Sequence, residues 1–271
     1  MIHYQKITSL DPAELQPYRT MRWDFDHRRQ GIFVAEGEKV VRRLLESELT
    51  VVSLLLPEKW AKSYEPLLAR RLEDIRVFIA EKKLLEHLTG FSMYQGIHGI
   101  GRIPTPRSAG EILASAPKPW LLAAVDGLTN AENVGGLVRN CAAFGVDALL
   151  VGETCSSPWI RRAVRSSMGT VFRLPVIETG NLAAALRDLR SRGVRCVAAH
   201  PRDELASLSK ARLDTDCCLV FGSEGDGISA PVLEACDEAV AIPMPPDVDS
   251  LNVGAAAAVF LYEARRQRRC M

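Results

Sequence analysis

The hydrophobic pattern changes character once, near residue 31. Before it, polar and basic residues predominate, and the pattern predicts a helical start. After it, short apolar runs such as Val51–Leu56 and Val77–Ile79 alternate with amphipathic stretches such as Gly37–Ser47. Short runs of this kind are typical of buried strands, and apolar residues at helical spacing are typical of a helix that covers them. The alternation predicts a small α/β unit, which Gln95–Arg102 would complete as an edge strand.

A proline-rich stretch separates this unit from the rest of the chain. Pro104, Pro106, Pro117 and Pro119 lie within it, together with Gly110. Such a composition is typical of a linker, and the residues between the prolines allow one short helix. We therefore predict a first domain at residues 1–103, a linker at residues 104–118 and a second domain at residues 119–271.

The second half alternates strands and helices along its whole length. Trp120–Val125 is an apolar run, typical of a parallel strand that is covered on both faces. The other predicted strands are Ala148–Val151, Val171–Val176, Arg195–Ala199, Cys217–Phe221 and Ala239–Ile242. The predicted helices are Val134–Phe144, a helix started by Ser157-Pro158, Leu182–Ser191 with Asn181 as its cap, Ala230–Cys236 and a terminal helix. This order predicts an α/β domain with a mostly parallel sheet, whose ligands bind at the carboxyl ends of the strands.

Composition narrows the class of protein. The chain is 47% hydrophobic and 25% charged, as soluble globular proteins are, and it has no apolar run long enough to cross a bilayer. Its start has no secretory signal pattern, so we expect a cytoplasmic protein. The seven cysteines include no C-x-x-C pair and the five histidines are scattered, which argues against a bound metal.

The formal net charge is only +1, but arginines are concentrated in three places. The clusters are Arg19, Arg22, Arg28 and Arg29; Arg161, Arg162 and Arg165; and Arg265, Arg266, Arg268 and Arg269. Arginine suits phosphate contacts because its guanidinium group is planar and always charged. A solvated helix face would explain any single cluster, whereas the three together favour an anionic partner.

The loop after the first strand of the second half is DGLTNAENVGG, and Arg139 follows it in the next helix. An asparagine N-cap would explain Asn133. It would not explain Arg139, whose neighbours in sequence are mostly apolar. If Asn133 and Arg139 act together, a bend at Gly135-Gly136 has to bring them into contact.

Two further loops combine unusual residues at predicted strand ends. FGSEGDGIS places Glu224 among three glycines, which permit close approach of the backbone to a ligand. It is neither the dinucleotide-binding G-x-G-x-x-G pattern nor a phosphate-binding P-loop. The third loop carries Met244, Ser250 and Asn252 before the terminal helix. Helix capping would explain Ser250 and Asn252, and a ligand-binding loop would explain them equally well.

Taken together, the three loops resemble the three signature motifs of the SpoU (TrmH-type) RNA ribose methyltransferases of the SPOUT class. The pattern N-x-x-N-x-G-x-x-x-R runs from Asn130 to Arg139, FGSEGDGIS matches the second motif, and IPM followed by SLN matches the third. The chain departs from the commonest sequence of these motifs at Ala131-Glu132, where Pro-Gly is often found, and at Gly254, where serine is frequent. The asparagine and arginine positions are intact.

The resemblance implies a C-terminal trefoil-knot domain that binds S-adenosylmethionine and methylates a ribose 2′-hydroxyl of rRNA or tRNA without a metal. It assigns cofactor binding to Gly222, Ile242, Met244 and Leu251. It places Arg139 at the 2′-hydroxyl, with Asn133, Glu224, Ser250 and Asn252 around it. The family is homodimeric, with the active site completed across the interface. The first half, through FVAEGEKVVRRLLE and QGIHGI, resembles the small L30e-like RNA-binding domain that precedes the catalytic domain in this family.

Two questions stay open: the class of protein and the chemical role of Arg139. The chain could be an RNA-binding or ribosome-assembly factor that keeps the fold without turnover, or a nucleotide-dependent oxidoreductase on a doubly wound sheet. Intact Arg139, Glu224, Ser250 and Asn252 argue against the first, and the missing G-x-G-x-x-G pattern argues against the second. Arg139 itself could be a general base or a stabiliser of the alkoxide, although a guanidinium group normally stays protonated.

Overall fold

The structure is a computed structural model that describes residues 1–89, 96–200, 206–245, 247 and 249–269. It contains two compact units. The first consists of Met1–Thr105 and Trp159–Phe172, and the second of Pro106–Pro158 and Arg173–Met271. The change from one unit to the other after Thr105 falls inside the predicted linker. The segment Trp159–Phe172 differs from the expectation, because it lies in the sequence of the second domain but packs in the first unit.

The elements follow in chain order. The strands are β1 (Ile2–Lys6), β2 (Ile32–Glu36), β3 (Val51–Leu56), β4 (Ile75–Ile79), β5 (His98–Arg102), β6 (Leu121–Val125), β7 (Ala148–Val151), β8 (Val176–Glu178), β9 (Arg195–Ala199), β10 (Ala206–Ser207), β11 (Cys217–Phe221) and β12 (Glu238–Ala241). The α-helices are α1 (Gln16–Arg19), α2 (Asp24–Arg29), α3 (Glu38–Leu45), α4 (Glu58–Leu68), α5 (Lys82–Thr89), α6 (Ala109–Leu113), α7 (Ala131–Phe144), α8 (Arg161–Ser166), α9 (Leu182–Ser191), α10 (Ala230–Glu234) and α11 (Val253–Arg269).

The first unit is built on a five-stranded sheet in the order β1-β4-β3-β5-β2. The predicted helical start is wrong at its first residues, because β1 is a strand that pairs in parallel with β4, from Ile2 opposite Ile75 to Lys6 opposite Ile79. Four of its five residues are exposed, so main-chain pairing rather than burial holds it in place. The hydrophobic pattern therefore carries no signal for this strand.

The glycine-rich strand β5 lies between β3 and β2, not at the edge of the sheet as predicted. The predicted first residue, Gln95, lies outside the described residues. A Cβ atom on Gly101 would come within 2.4 Å of the Phe33 ring, so the glycine leaves room for this ring against the strand. Phe33 stacks on Phe172 and also contacts Trp159, with ring centroids 5.2 and 5.3 Å away. The segment around α8 thus supplies part of the aromatic packing of the first unit.

The second unit has a seven-stranded sheet in the order β10-β12-β9-β11-β6-β7-β8, and every pairing is parallel. The predicted α/β class with a mostly parallel sheet is confirmed. Strands β6 and β11 are buried along their whole length at the centre of the sheet. Asn181 caps α9, as predicted, by accepting a hydrogen bond of 2.8 Å from the Ala184 main-chain nitrogen.

Two local predictions in this half of the chain are wrong. The expected strand Val171–Val176 is a 3-10 turn at Thr170–Phe172, followed by β8. The expected cap at Ser157-Pro158 does not start a helix, because α8 begins at Arg161 with Ile160 in the N-cap position. Both errors fall where the chain passes between the two units. From Trp159 to Phe172 the chain packs within the first unit, and this packing overrides the local sequence preferences.

The end of α11 is anchored to the second unit by two polar side chains. Gln267 accepts a hydrogen bond from the Leu213 main-chain nitrogen at 2.8 Å. The Arg268 guanidinium group donates to main-chain oxygens at the amino ends of the central strands, including those of Trp120 at 2.9 Å and Thr215 at 2.6 Å. Part of the basic end of the chain therefore holds the fold. None of the helices in the described ranges combines the length and apolar character that crossing a membrane requires.

Candidate active site

The three unusual loops meet at one edge of the second sheet. They follow β6, β11 and β12, and the carboxyl ends of parallel strands lie on the same side of a sheet. A cavity of about 460 Å³ opens at this edge. Its lining comes mainly from the second and third loops: Gly222, Ser223, Glu224, Gly225, Asp226, Ile242, Met244, Asp249, Ser250 and Leu251.

The first loop leads directly into α7. The side chain of Asn130 caps this helix by accepting a hydrogen bond of 3.1 Å from the Asn133 main-chain nitrogen. The alternative explanation of Asn133 as the cap is therefore wrong, and its side chain is available for other contacts. The helix is continuous through Gly135 and Gly136, so the predicted bend is absent. Asn133 and Arg139 stay six residues, or about one and two-thirds turns, apart.

Asn252 joins the three loops. Its Nδ2 atom donates one hydrogen bond to Glu224 in the second loop and one of 3.2 Å to Oδ1 of Asn133 in α7. Its Oδ1 atom accepts a hydrogen bond of 2.9 Å from the Gly254 main-chain nitrogen. Asn140, one turn beyond Gly136, donates to the Gly254 carbonyl oxygen at 2.6 Å. Asn252 therefore supports the start of α11, as the capping explanation requires, and its side chain also joins residues of the other two loops.

The second loop closes tightly on itself. A Cβ atom on Gly222 would lie 2.2 Å from the Gly227 carbonyl carbon, so only glycine fits this position. The Ser223 main-chain nitrogen donates to the Gly227 oxygen at 3.0 Å, and Gly227 itself has a φ of +72°. Where the loop leads into α10, the Ser229 main-chain nitrogen donates to Oδ2 of the buried Asp126 at 2.8 Å. The carboxylate of Asp126 thus fixes the second loop to the start of the first.

The residues predicted to bind a cofactor all line the cavity. Gly222 comes from the second loop, and Ile242, Met244 and Leu251 come from the third. Leu251 is 38% exposed and faces this cavity. His200 also lines the cavity, although none of the sequence motifs includes it. Its position directly after the predicted strand Arg195–Ala199 is the signal that could have identified it.

The residues predicted for catalysis divide into two groups. Glu224 and Ser250 line the cavity, and Asn133 and Asn252 are joined to Glu224 by the hydrogen bonds described above. Arg139 does not belong to this group. Its side chain is exposed on α7, outside the cavity lining, and no hydrogen bond or ion pair links it to another described residue.

The cysteines of the second unit are poorly suited to nucleophilic catalysis. Burial raises the pKa of the Cys141 and Cys155 thiols above the ordinary value and that of Cys236 to about 12. These thiols are protonated at neutral pH, whereas a thiolate is the reactive form. Within the described residues, no three histidine, cysteine or acidic side chains are grouped so that they could hold a metal ion.

Comparison with known proteins agrees with this geometry. The model of the SpoU rRNA Methylase family matches residues 121–262. An uncharacterized tRNA/rRNA methyltransferase of Mycobacterium tuberculosis is 32% identical over 97% of this chain and 92% of its own length. The 23S rRNA (guanosine-2′-O-)-methyltransferase RlmB of Xanthomonas campestris is 34% identical over 73% of this chain and 80% of its own.

Solved structures extend the similarity to nearly the whole chain. The SpoU methyltransferase AviRb from Streptomyces viridochromogenes, 24% identical, superposes with a TM-score of 0.82 over 96% of this chain and 98% of its own. An RNA 2′-O ribose methyltransferase, 26% identical, gives a TM-score of 0.78 over 99% of this chain and 100% of its own. The fold is that of a SpoU methyltransferase. The chain belongs to the SpoU rRNA methylase family, as the three motifs predicted.

Proposed function

We propose that this protein transfers the methyl group of S-adenosylmethionine to a ribose 2′-hydroxyl of ribosomal or transfer RNA. The observation that carries the proposal is the contact of Asn252 with both Glu224 and Asn133 beside the cavity. It joins one residue from each family motif into a single polar cluster. Membership in a methylase family and similarity to a guanosine-2′-O-methyltransferase support the same reaction.

The cavity fits the cofactor in size and in chemistry. Its volume lies in the range of small-molecule sites. Ile242, Met244 and Leu251 offer apolar contact for the adenosine part, while the tight turn at Gly222 exposes main-chain groups. Carboxylates of the lining, among them Asp249, complement the positive charge of the sulfonium and ammonium groups. When bound, the cofactor supplies a methyl group on a positively charged sulfur, and the reaction needs no metal.

The polar cluster would orient the nucleotide. Asn133, Glu224 and Ser250 offer hydrogen-bonding groups beside the cavity that can hold the ribose hydroxyl and the adjoining phosphate in line with the sulfur. Arg139 would act on the 2′-oxygen. A guanidinium group stays protonated in proteins, so we assign it to stabilising the negative charge that develops on this oxygen as the oxygen–methyl bond forms and the methyl–sulfur bond breaks. The hydroxyl proton would pass to the carboxylate of Glu224 beside the cavity, and S-adenosylhomocysteine would leave.

The exposed position of Arg139 supports a homodimer. Val259 and Tyr262 on α11, which packs against α7, are 41% and 60% exposed. A second copy covering these helices would bury the apolar side chains and would give Arg139 a cavity in the partner subunit to act on. The first unit would bind the RNA, as an L30e-like domain does. We place the reaction in the cytoplasm, where its RNA substrates are found.

The test is Arg139→Ala in the full-length protein, assayed by tritium transfer from labelled S-adenosylmethionine to RNA. We expect methylation to be abolished and cofactor affinity, measured by calorimetry, to stay near the wild-type value. Arg187→Ala, another exposed arginine of the second unit, is the matched control and should methylate normally. Wild-type turnover in the Arg139 variant would refute the assigned mechanism.

The same assay separates the alternatives. A factor that only binds RNA would transfer no tritium in the wild type. An oxidoreductase would bind NAD in place of S-adenosylmethionine, and calorimetry with each ligand distinguishes the two.

A further inference from the structure

The first unit carries an exposed tryptophan among arginines, which we call the Trp23 patch: Arg19, Arg22, Trp23, Arg28 and Arg29. Trp23 is 65% exposed, and the four arginine side chains are exposed as well. Residues 19–30 contain these four arginines and two aspartates, Asp24 and Asp26, so their formal charge is 4 − 2 = +2 with His27 neutral. With most of its surface exposed, the Trp23 indole adds little to the packing of the unit.

The patch is held on a defined turn. The Thr20 main-chain nitrogen donates to the Gln16 oxygen at 2.9 Å, and the Trp23 main-chain nitrogen donates to the Thr20 oxygen at 2.7 Å. The Thr20 hydroxyl lies 3.1 Å from Nε2 of the buried His27, which fixes the turn to α2. Met21, between these residues, is buried in the core. The indole is therefore presented to solvent by a segment that is anchored on its other side.

Arginines of the other two clusters take part in defined contacts. Arg161 and Arg165 both pair with Glu36 inside the first unit, Arg266 pairs with Glu263, and Arg268 binds main-chain oxygens. In the Trp23 patch, Arg19 donates to the Asp11 main-chain oxygen at 3.0 Å while its side chain stays exposed. What distinguishes the patch is its tryptophan, the most exposed aromatic side chain among the described residues.

We infer that the Trp23 patch binds single-stranded RNA, with one base stacked on the indole and neighbouring phosphates on the arginines. This inference rests on the proposed function, which makes RNA the substrate. Aromatic side chains bind unstacked bases of any sequence, and arginines beside them neutralise the backbone. Four exposed arginines within six residues of Trp23 along the chain suit a flexible polyanion better than an apolar protein surface.

The first experiment removes the stacking surface. Trp23→Ala in the full-length protein should bind poly(A) and unmodified ribosomal RNA roughly tenfold more weakly, a loss in the range of one base–aromatic stack. The KM for ribosomal RNA should rise and the affinity for S-adenosylmethionine should not change. Trp60→Ala, a half-buried tryptophan of the same unit, is the control for a general effect of losing an indole. Trp23→Phe should retain most of the binding because the phenyl ring still stacks.

Fluorescence reports the same contact directly. Among the four tryptophans, Trp159 is buried and Trp60 and Trp120 are half-buried, so Trp23 is the one most open to a base. Titration with poly(A) should quench wild-type fluorescence and should quench the Trp60→Phe variant equally. The quenching should be lost in Trp23→Phe.

The second experiment tests the arginines. Replacing Arg28 and Arg29 by glutamine should lower the slope of log affinity against log salt by about 0.7 for each phosphate that the variant no longer neutralises. Arg70→Gln, at another exposed arginine of the first unit, should leave the slope unchanged.

Two results would overturn the inference: unchanged RNA affinity and KM in Trp23→Ala, or a change in its oligomeric state, which would make the patch a protein interface. Failure of the proposed function is distinguishable from failure of the patch. Wild-type protein that binds RNA through Trp23 but methylates nothing would refute the function alone. Wild-type protein that methylates RNA with a KM that Trp23→Ala leaves unchanged would refute the patch alone.

Discussion

Asn252 occupies a position that only an amide satisfies, since it donates to two side-chain oxygens and accepts from a main-chain nitrogen. Asn252→Asp would remove both donated hydrogen bonds and would place a second carboxylate against Glu224. We expect methyl transfer to fall by roughly a hundredfold, because a cluster that has lost its geometry no longer orients the ribose. Steady-state assays with labelled cofactor measure the effect.

The control for this variant is the exchanged pair, Asn252→Asp with Glu224→Gln. This double variant again has one amide and one carboxylate, but at exchanged positions. Its midpoint of thermal unfolding should equal that of the wild type, whereas its activity should stay below the wild-type level. Activity of Asn252→Asp close to that of the wild type would show that the cluster has no part in the reaction.

His98 makes the stability of the first unit depend on pH. Its ring is fully buried, and neither nitrogen has a hydrogen-bond partner among the described residues. Burial lowers its pKa to about 4; the nearby Arg161 and Arg165 act in the same direction, whereas Glu36 opposes them. The unfolded chain takes up this proton near pH 6.5, so stability is full above that value and is lost as the pH falls towards 4.

The loss across this window should be up to about 3 kcal/mol in the free energy of unfolding. Urea unfolding between pH 4 and pH 7 measures it, and His98→Leu should remove this part of the pH dependence while remaining folded. Identical profiles for the wild type and His98→Leu would contradict the assignment.

At the scale of elements, the loop from Gly222 to Ser229 is determined by one close contact. Gly222→Ala would force a methyl group into the Gly227 main chain, whereas a methyl group at Gly225 would meet nothing within 4 Å. We expect Gly222→Ala to weaken binding of S-adenosylmethionine by at least tenfold, because the loop that lines the cavity must shift. Gly180→Ala, at a glycine outside the cavity lining where an added methyl group also meets nothing within 4 Å, should bind the cofactor normally. Calorimetry measures the affinity of both variants for S-adenosylmethionine. Equal affinities of the two variants would show that the tight turn does not shape the site.

Elements with a strong local pattern were predicted closely from the sequence. Strands β3, β9 and β11 and helix α9 have the predicted bounds, because buried apolar runs and an asparagine cap mark their ends. Strand β1 was missed because its exposed residues carry no periodicity. The segment before β8 was predicted as a strand because Val171 and Phe172 are apolar, but these residues are buried in the first unit, which no local pattern reveals.

At the scale of the whole molecule, the separation of Arg139 from the cavity has a direct consequence. If Arg139 acts in the partner subunit, mixing Arg139→Ala with Gly222→Ala gives heterodimers in which one intact cavity faces one intact arginine. Equal mixing after dissociation and reassociation should restore roughly a quarter of wild-type activity, as random pairing implies. Arg139→Ala alone should be inactive, and Gly222→Ala alone should have little activity when the cofactor concentration is kept well below the Kd of this variant. No recovery in the mixture, with heterodimers verified by mass spectrometry, would place Arg139 in its own subunit's site.

The sequence predicted the components of the site better than their arrangement. The motif residues identified the family, which the comparisons confirm, and the cofactor residues line one cavity. The expected bend that would join Asn133 to Arg139 was wrong, because Gly135 and Gly136 are held within a continuous helix. We propose that a second copy of the chain brings Arg139 to the reaction. The pattern of a single sequence gives no information on where this second copy lies. The trefoil knot and the L30e-like domain stay predictions.

The central claim is that the methyl group goes to a ribose oxygen. The most direct test incubates the protein with isotopically labelled S-adenosylmethionine and unmodified ribosomal and transfer RNA, digests the RNA to nucleosides and identifies the labelled product by mass spectrometry. We predict a 2′-O-methylated nucleoside with the wild-type protein and none with Arg139→Ala. Label on a base, or no label in either RNA, would contradict the account.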